Sequence, residues 1–183
     1  MKRRSEKVST GRRQFSLLPS GMHQPTTLAN AEEETSIAAT VYRETYEELF
    51  AGEEDEADDK HVAPRWYMSE PELAWFKENP DSFILEVVSF GLNLIDGTYE
   101  FGVLLVVKDE QYWEKFGGTM TPNEEVDDSE TPLYSTLDPD RLASIMTDPR
   151  CADASLIVLL EGLRRLSQLE PARINLPRIE IIT

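Results

Sequence analysis

The stretch that determines the fold is Arg43-Glu44-Thr45-Tyr46-Glu47-Glu48, because on a helix it forms a charged face. On a helix, Glu44 lies three and four residues from Glu47 and Glu48, so the three carboxylates share one face. Arg43 lies one turn before Glu47 and can hold that carboxylate with its fork of donors. A second stripe at helical spacing is predicted to face a core: Ala38, Tyr42, Thr45 and Leu49.

Three crowded carboxylates repel each other, and a bound divalent cation is the simplest physical reason to keep them together. Hard cations such as magnesium bind carboxylate and phosphate oxygens in one site. The stretch therefore indicates metal-assisted phosphate chemistry. The residues alone leave one alternative open, because a run of charges on a helix of an acidic protein is often only a solvated face.

The charge of the chain is strongly acidic and unevenly distributed. The 183 residues carry 35 Asp and Glu against 18 Lys and Arg, a formal net charge of -17. Such a surface repels nucleic acids and anionic membranes, so neither is predicted as a partner. The length predicts one domain at 14–170, preceded by a basic segment at 1–13, interrupted by an acidic insertion at 53–61 and followed by a tail at 171–183.

The cysteine and histidine residues argue against a disulfide framework and against a zinc site. The single cysteine, Cys151, rules out an internal disulfide framework and fits a reducing compartment. His23 and His61 are isolated and lack the ligand spacing of a zinc site. No apolar segment follows the basic start and no apolar run approaches the ~20 residues of a membrane span, so we predict a cytoplasmic protein.

Turn residues and periodicity divide the chain into predicted elements. Thr35-Ser36 is a good N-cap position for a helix that runs to about Phe50, and Asp96-Gly97 is predicted to form a two-residue hairpin turn. The other predicted elements are strands at 14–18, 83–95, 99–107 and 134–137, and helices that follow Glu70, run from Asp138 to about Met146, and cover 154–169 with core leucines.

The central stretch resembles the signature of the Nudix hydrolase family, since it supplies the Arg-Glu-x-x-Glu-Glu at the centre of that signature. The preceding Leu18-Pro19-Ser20-Gly21 is similar to the Leu-Pro-Gly-Gly strand end of many members. Further on, the acidic residues around Glu125 and the segment 135–142 resemble the late acidic loop, strand and helix of the family. Arg3-Arg4-Ser5 is similar to the exit of an earlier strand of the family, so we expect either that an N-terminal strand is missing or that the start was assigned too late.

The chain departs from the family pattern in four places. Twenty-one residues separate Gly21 from Arg43, about eight more than the signature has. The early signature glutamate falls on Thr35, one position after Glu34. Thr45 replaces an aliphatic residue, and Phe50 stands where the family has glycine.

The resemblance implies a fold, an activity and a site. The fold is an α+β, α/β/α sandwich, with a Nudix-like mixed β-sheet flanked by helices. The activity is magnesium-dependent hydrolysis of a nucleoside diphosphate linked to another group, or of a similar small phosphorylated metabolite. Mg2+ is the expected cofactor, with Mn2+ as the alternative. The implied metal-binding residues are Gly21, Glu34, Glu44, Glu47 and Glu48.

The same resemblance assigns the chemical roles. Glu44 or Glu48 is the expected base, Glu125 is the alternative in the late loop, and Arg43 orients the glutamates. Specificity is expected from Trp66, Tyr67 or Trp113, stacked on a base. The resemblance also allows a catalytically silent ligand-binding or regulatory module of the same fold, and a homodimer. The long loop and the displaced glutamate favour the silent module, whereas the complete central stretch favours the enzyme.

Overall fold

The computed structural model describes residues 2–3, 15–25, 31–50, 65–94, 97–120, 134–151 and 153–178. Within these ranges the chain is mixed α+β, with helices and two small two-stranded sheets. The predicted acidic insertion at 53–61 lies outside them, as do most of the basic segment 1–13 and the end of the tail 171–183. The prediction of a single domain at 14–170 stays a prediction.

The chain divides into two compact units. The first comprises Met1–Leu17, Glu86–Leu104 and Val126–Thr183, and the second comprises Leu18–Leu85 and Leu105–Glu125. In the first unit, strands β1 (Lys2–Arg3) and β2 (Phe15–Ser16) pair antiparallel, with Lys2 opposite Ser16. The strand predicted at 14–18 is therefore present but only two residues long.

A hairpin joins strand β3 (Phe83–Leu92) to strand β4 (Tyr99–Val107). The backbone N–H of Asn93 donates to the carbonyl of Thr98 at 2.9 Å, and that of Gly97 donates to the carbonyl of Asn93 at 2.8 Å. Gly97 has a φ of 77°, which glycine adopts without steric cost. The pairing of Asn93 with Thr98 leaves more than two residues in the loop, so the predicted two-residue turn at Asp96-Gly97 is wrong in length. Asp96 itself lies outside the described residues.

Helices α5 (Pro139–Met146) and α6 (Asp153–Leu169) complete the first unit and confirm two predictions. The carboxylate of Asp138 caps α5 by accepting the N–H of Arg141 at 3.0 Å. The leucines of α6 predicted to be core are Leu156, Leu159, Leu160, Leu163 and Leu166. Leu163 is buried, whereas Leu160 is 39% exposed, so the prediction is wrong for Leu160.

The strand predicted at 134–137 is a turn. The N–H of Leu137 is held by the hydroxyl of Ser135 at 3.2 Å, and the Thr136 hydroxyl donates to the carbonyl of Arg173 at 2.5 Å. The Asp138 N–H donates to the Ser135 carbonyl at 3.4 Å. These bonds, local except for the one to Arg173, hold the segment in a turn.

The second unit has four described α-helices, and three of them, all but the first, contribute to an aromatic core. They are α1 (Ala31–Glu34), α2 (Ile37–Leu49), α3 (Pro71–Glu78) and α4 (Glu110–Phe116), and a 3-10 helix at Trp66–Ser69 precedes α3. The buried residues of the core are Tyr67, Leu73, Phe76, Tyr112 and Phe116.

The aromatic core anchors α2 by one side. Tyr42, Tyr46 and Phe50 pack against the core, and the ring of Tyr42 stacks on that of Phe76 at 6.1 Å. Burial raises the pKa of Tyr42, as expected for a phenol removed from water. Because one side of α2 is fixed in this way, its opposite side presents the charged residues.

Across the ranges that the structure describes, we find no helix with the length and apolar character needed to cross a membrane.

Candidate functional site

The candidate site is built on α2, whose beginning is fixed by a side-chain cap. Ser36 is extended, and its hydroxyl accepts the N–H of Ala39 at 3.1 Å. This bond satisfies one of the N–H groups that the first turn of a helix leaves without a partner. The predicted cap position, Thr35-Ser36, is therefore confirmed, with Ser36 as the capping residue.

Both departures from the family signature within this stretch are accommodated locally. Thr45 is buried, and its hydroxyl donates to the carbonyl of Val41 at 2.6 Å, so no polar group is left unsatisfied. Phe50 ends the helix with a φ of -133°, and its N–H donates to the backbone carbonyl of Tyr46 at 2.9 Å. That conformation suits any residue, so this helix end does not require glycine.

Arg43 is the centre of the charged face. Its Nη2 lies 2.8 Å from Oε1 of Glu44, and its Nε lies 3.8 Å from Oε2 of Glu47. The predicted pairing with Glu47 is confirmed, although the bond to Glu44 is the shorter one. Arg43 is 7% exposed, and a buried guanidinium needs such partners because it has lost its hydration.

Residues 18–25, which we name the strap, lie along this face of α2. The N–H of Ser20 donates to Oε2 of Glu48 at 3.1 Å. Arg43 donates from Nη1 to the carbonyl of Gln24 at 2.9 Å and from Nη2 to that of Met22 at 3.0 Å. One guanidinium thus joins two strap carbonyls to the helix, which a point-charge ammonium could not do with the same geometry.

His23 and Thr40 add a contact that the sequence did not predict. Nδ1 of His23 lies 2.8 Å from the hydroxyl of Thr40, and Thr40 is buried on α2. Thr40 precedes Glu44 by four residues and so belongs to the same face. That spacing could have identified Thr40 in advance, whereas the position of His23 depends on how the strap folds.

Gly21 lies against Glu44. A Cβ at position 21 would overlap the carboxylate of Glu44, so the strap approaches this helix only because it carries no side chain there. The carboxylate is not free to move aside without cost, since Arg43 holds it. The structure therefore brings together four predicted site residues, Gly21, Arg43, Glu44 and Glu48, and Glu47 is tied to the same guanidinium.

Glu34 is held by a different segment. It is 2% exposed at the end of α1, and its Oε1 accepts the N–H of Arg65 at 3.3 Å. The Arg65 side chain donates to the carbonyl of Glu33 at 2.6 Å through Nη2. Burial raises the pKa of Tyr67, and the nearby negative charge of Glu34 adds to this effect. These contacts show Glu34 fixing the segment that leads into the 3-10 helix.

The aromatic residues predicted to stack on a base occupy different environments. Tyr67 is 1% exposed and belongs to the core, so its ring is not available to a ligand in this conformation. Trp66 is half-buried and packs edge-on against Tyr46 at 5.4 Å. Trp113 of α4 is 44% exposed. Glu125 and His61 lie outside the described residues.

A magnesium ion takes about six oxygen ligands in a near-octahedral shell. Among the described residues, no group of three or more His, Cys, Asp or Glu side chains is arranged to hold a metal ion. Glu44 and Glu48 instead bond to Arg43 and to the Ser20 N–H. The described residues thus do not fit a ready-made site, although two carboxylates and the Gly21 backbone meet at one place.

No protein-family model, curated protein or solved structure matches this chain.

Proposed function

We propose that this protein is a Nudix-type hydrolase of a nucleoside diphosphate linked to another group, or of a similar small phosphorylated metabolite, and that it depends on Mg2+ or Mn2+. The proposal includes the finer fold, an α/β/α sandwich with a mixed sheet. The observation that carries it is the meeting of the strap with the glutamate face: Glu48 bonds to Ser20 and Glu44 lies against Gly21. The loop before α2 is longer than the signature has, yet it brings this glycine to this glutamate.

Charge supports a site for a cation and its phosphate at this place. Two carboxylates and one guanidinium lie within hydrogen-bonding distance of the strap backbone or of each other. A bound divalent cation would supply neutralisation of the diphosphate and an activated water.

The protein's own residues would supply the base, hold the glutamates in position and contact the nucleobase. Glu44 or Glu48, with Glu125 as the alternative, would accept the proton of the attacking water. Arg43 would keep Glu44 and Glu47 in place, as its two ion pairs indicate. Of the three aromatic residues predicted to stack on a base, Trp113 is the most exposed to solution.

A second candidate is a catalytically silent ligand-binding or regulatory module of the same fold. Two observations favour it: Glu34 is engaged by the Arg65 amide, and the described residues form no three-ligand metal group. A silent module would bind the same class of phosphorylated ligand without releasing phosphate. The absence of a nucleic-acid partner, the cytoplasmic location and the homodimer stay predictions.

The test is hydrolysis of a panel of nucleoside diphosphate compounds, with and without magnesium, read as the phosphate that an added phosphatase releases from the two phosphomonoester products. The wild type is compared with Glu48→Gln, which removes a charge but keeps the shape and an oxygen that can accept the Ser20 N–H. Glu78→Gln is the matched control, since Glu78 is exposed at the end of α3. Circular dichroism and urea unfolding establish that each variant is folded.

The expected result is magnesium-dependent release that is lost in Glu48→Gln and kept in Glu78→Gln. Release that persists in Glu48→Gln would exclude the role of this carboxylate. No release from any compound, together with nucleotide binding by the folded wild type, would support the silent module.

A further inference from the structure

We propose that the strap, residues 18–25, is a lid that closes the carboxylates of Glu44 and Glu48 in the resting protein and must lift before a ligand reaches them. This inference rests on the proposed function in one respect only, that these carboxylates receive a ligand. It adds a mode of regulation: whatever holds the strap down limits the access of a ligand to these two side chains.

The contacts of the strap are the first support. Glu48 is 4% exposed, and its carboxylate accepts the N–H of Ser20 at 3.1 Å. The Glu44 carboxylate lies against Gly21 and is bonded to Arg43, which itself donates to two strap carbonyls. A cation that used both carboxylates would have to pass the Ser20 N–H and the backbone at Gly21. The strap must therefore open to admit a cation, and it can close again over the ligated carboxylates.

The second support is the kind of bond that holds the strap. Its residues 20–24 are exposed, and Met22 projects 70% of its surface into solvent. These exposed residues 20–24 are held to α2 through polar contacts, namely the Ser20 N–H, two carbonyls and the His23–Thr40 pair. Segments with few buried apolar contacts open at a free energy well below that of global unfolding.

The third support is that α2 does not depend on the strap. Its other side packs through Tyr42, Tyr46 and Phe50 on the aromatic core, and Ser36 caps its beginning within the helix segment itself. Lifting the strap would uncover the charges while the helix that carries them stays folded. This combination of a rigid support and a cover held by a small number of polar contacts is what a lid requires.

Carboxyl labelling in the absence of metal and substrate tests the lid directly. The protein is treated with a water-soluble carbodiimide and glycine ethyl ester, and the modification rate of each glutamate is read by peptide mass spectrometry. Thr40→Val removes the hydroxyl that contacts His23 but keeps a β-branched side chain in the helix. His23→Ala removes the same contact from the strap side. Glu78, exposed on α3, is the internal reference.

We expect Glu48 to be labelled far more slowly than Glu78 in the wild type. In both variants Glu48 labelling should rise about fivefold, the effect of losing one neutral hydrogen bond from the closed state, while Glu78 labelling stays constant. Glu48 that reacts as fast as Glu78 in the wild type would overturn the lid. Unchanged Glu48 labelling in both folded variants would overturn it as well.

The labelling assay contains neither metal nor nucleotide, so its outcome is separate from that of the phosphate-release test. If Glu48 labelling rises in the variants but the wild type releases no phosphate, the proposal of a hydrolase fails and the proposal of a lid stands. If the wild type releases phosphate but its Glu48 is labelled as fast as Glu78, the proposal of a hydrolase stands and the proposal of a lid fails.

Discussion

The backbone N–H of Ser20 donates a hydrogen bond of 3.1 Å to Oε2 of Glu48, a residue 28 positions further along the chain. This bond places a strand-end loop on a helix that the sequence separates from it by a long insertion. A charge-assisted bond to a buried carboxylate is stronger than a neutral one, and its loss leaves the carboxylate with unmet hydration. The relationship therefore joins the packing of the strap to the chemistry proposed for Glu48.

Gly21→Ala should release the strap without unfolding the second unit. The added Cβ would overlap the Glu44 carboxylate, which Arg43 holds, so the strap must move away from α2. We expect the Ser20 amide to exchange with solvent at least about tenfold faster, which corresponds to a loss of about 1.4 kcal/mol or more in the global free energy of unfolding. Hydrogen exchange read by mass spectrometry or NMR measures the first, and urea unfolding the second.

Gly118→Ala is the control for that substitution. No described atom lies within 4 Å of a Cβ at position 118, so the Ser20 amide should exchange as in the wild type. Equal Ser20 exchange in the Gly21 and Gly118 variants would contradict the close approach of Gly21 to Glu44.

The sequence predicted those elements whose signals are local. Ser36 and Asp138 identified the beginnings of α2 and α5, because each side chain caps a helix within three residues of itself. Arg43 and Glu47 were paired correctly because helical spacing alone brings them together. In each case the partners lie within one helical turn, and no knowledge of the rest of the fold is needed.

The predictions that failed depended on distant partners. Residues 134–137 have a composition suited to a strand, but Ser135 and Arg173 bind their polar groups in a turn. The exposure of Leu160 could not be predicted from the helical spacing of the leucines, because that spacing does not say how wide a stripe of the helix the rest of the unit covers. The partners of Glu34 and His23 lie 31 and 17 positions away, beyond any local pattern.

Gly102→Ala should destabilise the first unit. In β4 a Cβ at position 102 would overlap the hydroxyl of Ser89 and press on Val158 of α6. Overpacking of this kind costs about 1–3 kcal/mol. Urea unfolding followed by circular dichroism measures the change. Gly91→Ala on β3 is the matched control, because no described atom lies within 4 Å of its Cβ and alanine restricts the unfolded chain more than glycine. A Gly102 variant as stable as the Gly91 variant would disprove the packing.

Asp148 should remain ionised to unusually low pH. The side chain of Arg150 donates to both carboxylate oxygens, at 3.0 and 2.7 Å, and these bonds lower the pKa of Asp148 to about 2 from its ordinary value of 3.8. Because the folded pKa is the lower one, the contribution to stability is present above about pH 3.8 and is lost as the pH falls towards 2. The contribution is small, since the pair lies near solvent.

Arg150→Gln tests this assignment. Carbon-13 NMR titration of the carboxyl group should show the pKa of Asp148 moving back towards 3.8. The pKa of Glu86, which is lowered by hydrogen bonds from Arg165, should stay low in the same variant. An unchanged Asp148 pKa would mean that Arg150 is not the cause.

Arg43→Lys should cost more than its conserved charge suggests. Arg43 divides its donors among the Gln24 carbonyl, the Met22 carbonyl and Glu44, and a lysine ammonium cannot reproduce that planar arrangement. Hydrogen bonds to charged groups contribute about 1.5–3 kcal/mol, so a loss of that order is expected in the free energy of unfolding measured with urea. Arg164→Lys is the matched control, because Arg164 pairs with Glu161 at the surface and such pairs contribute about 1 kcal/mol or less. Equal stability of the two variants would contradict the central place of Arg43, whereas the expected difference would show that this guanidinium, and not merely a positive charge, holds the strap to the glutamate face.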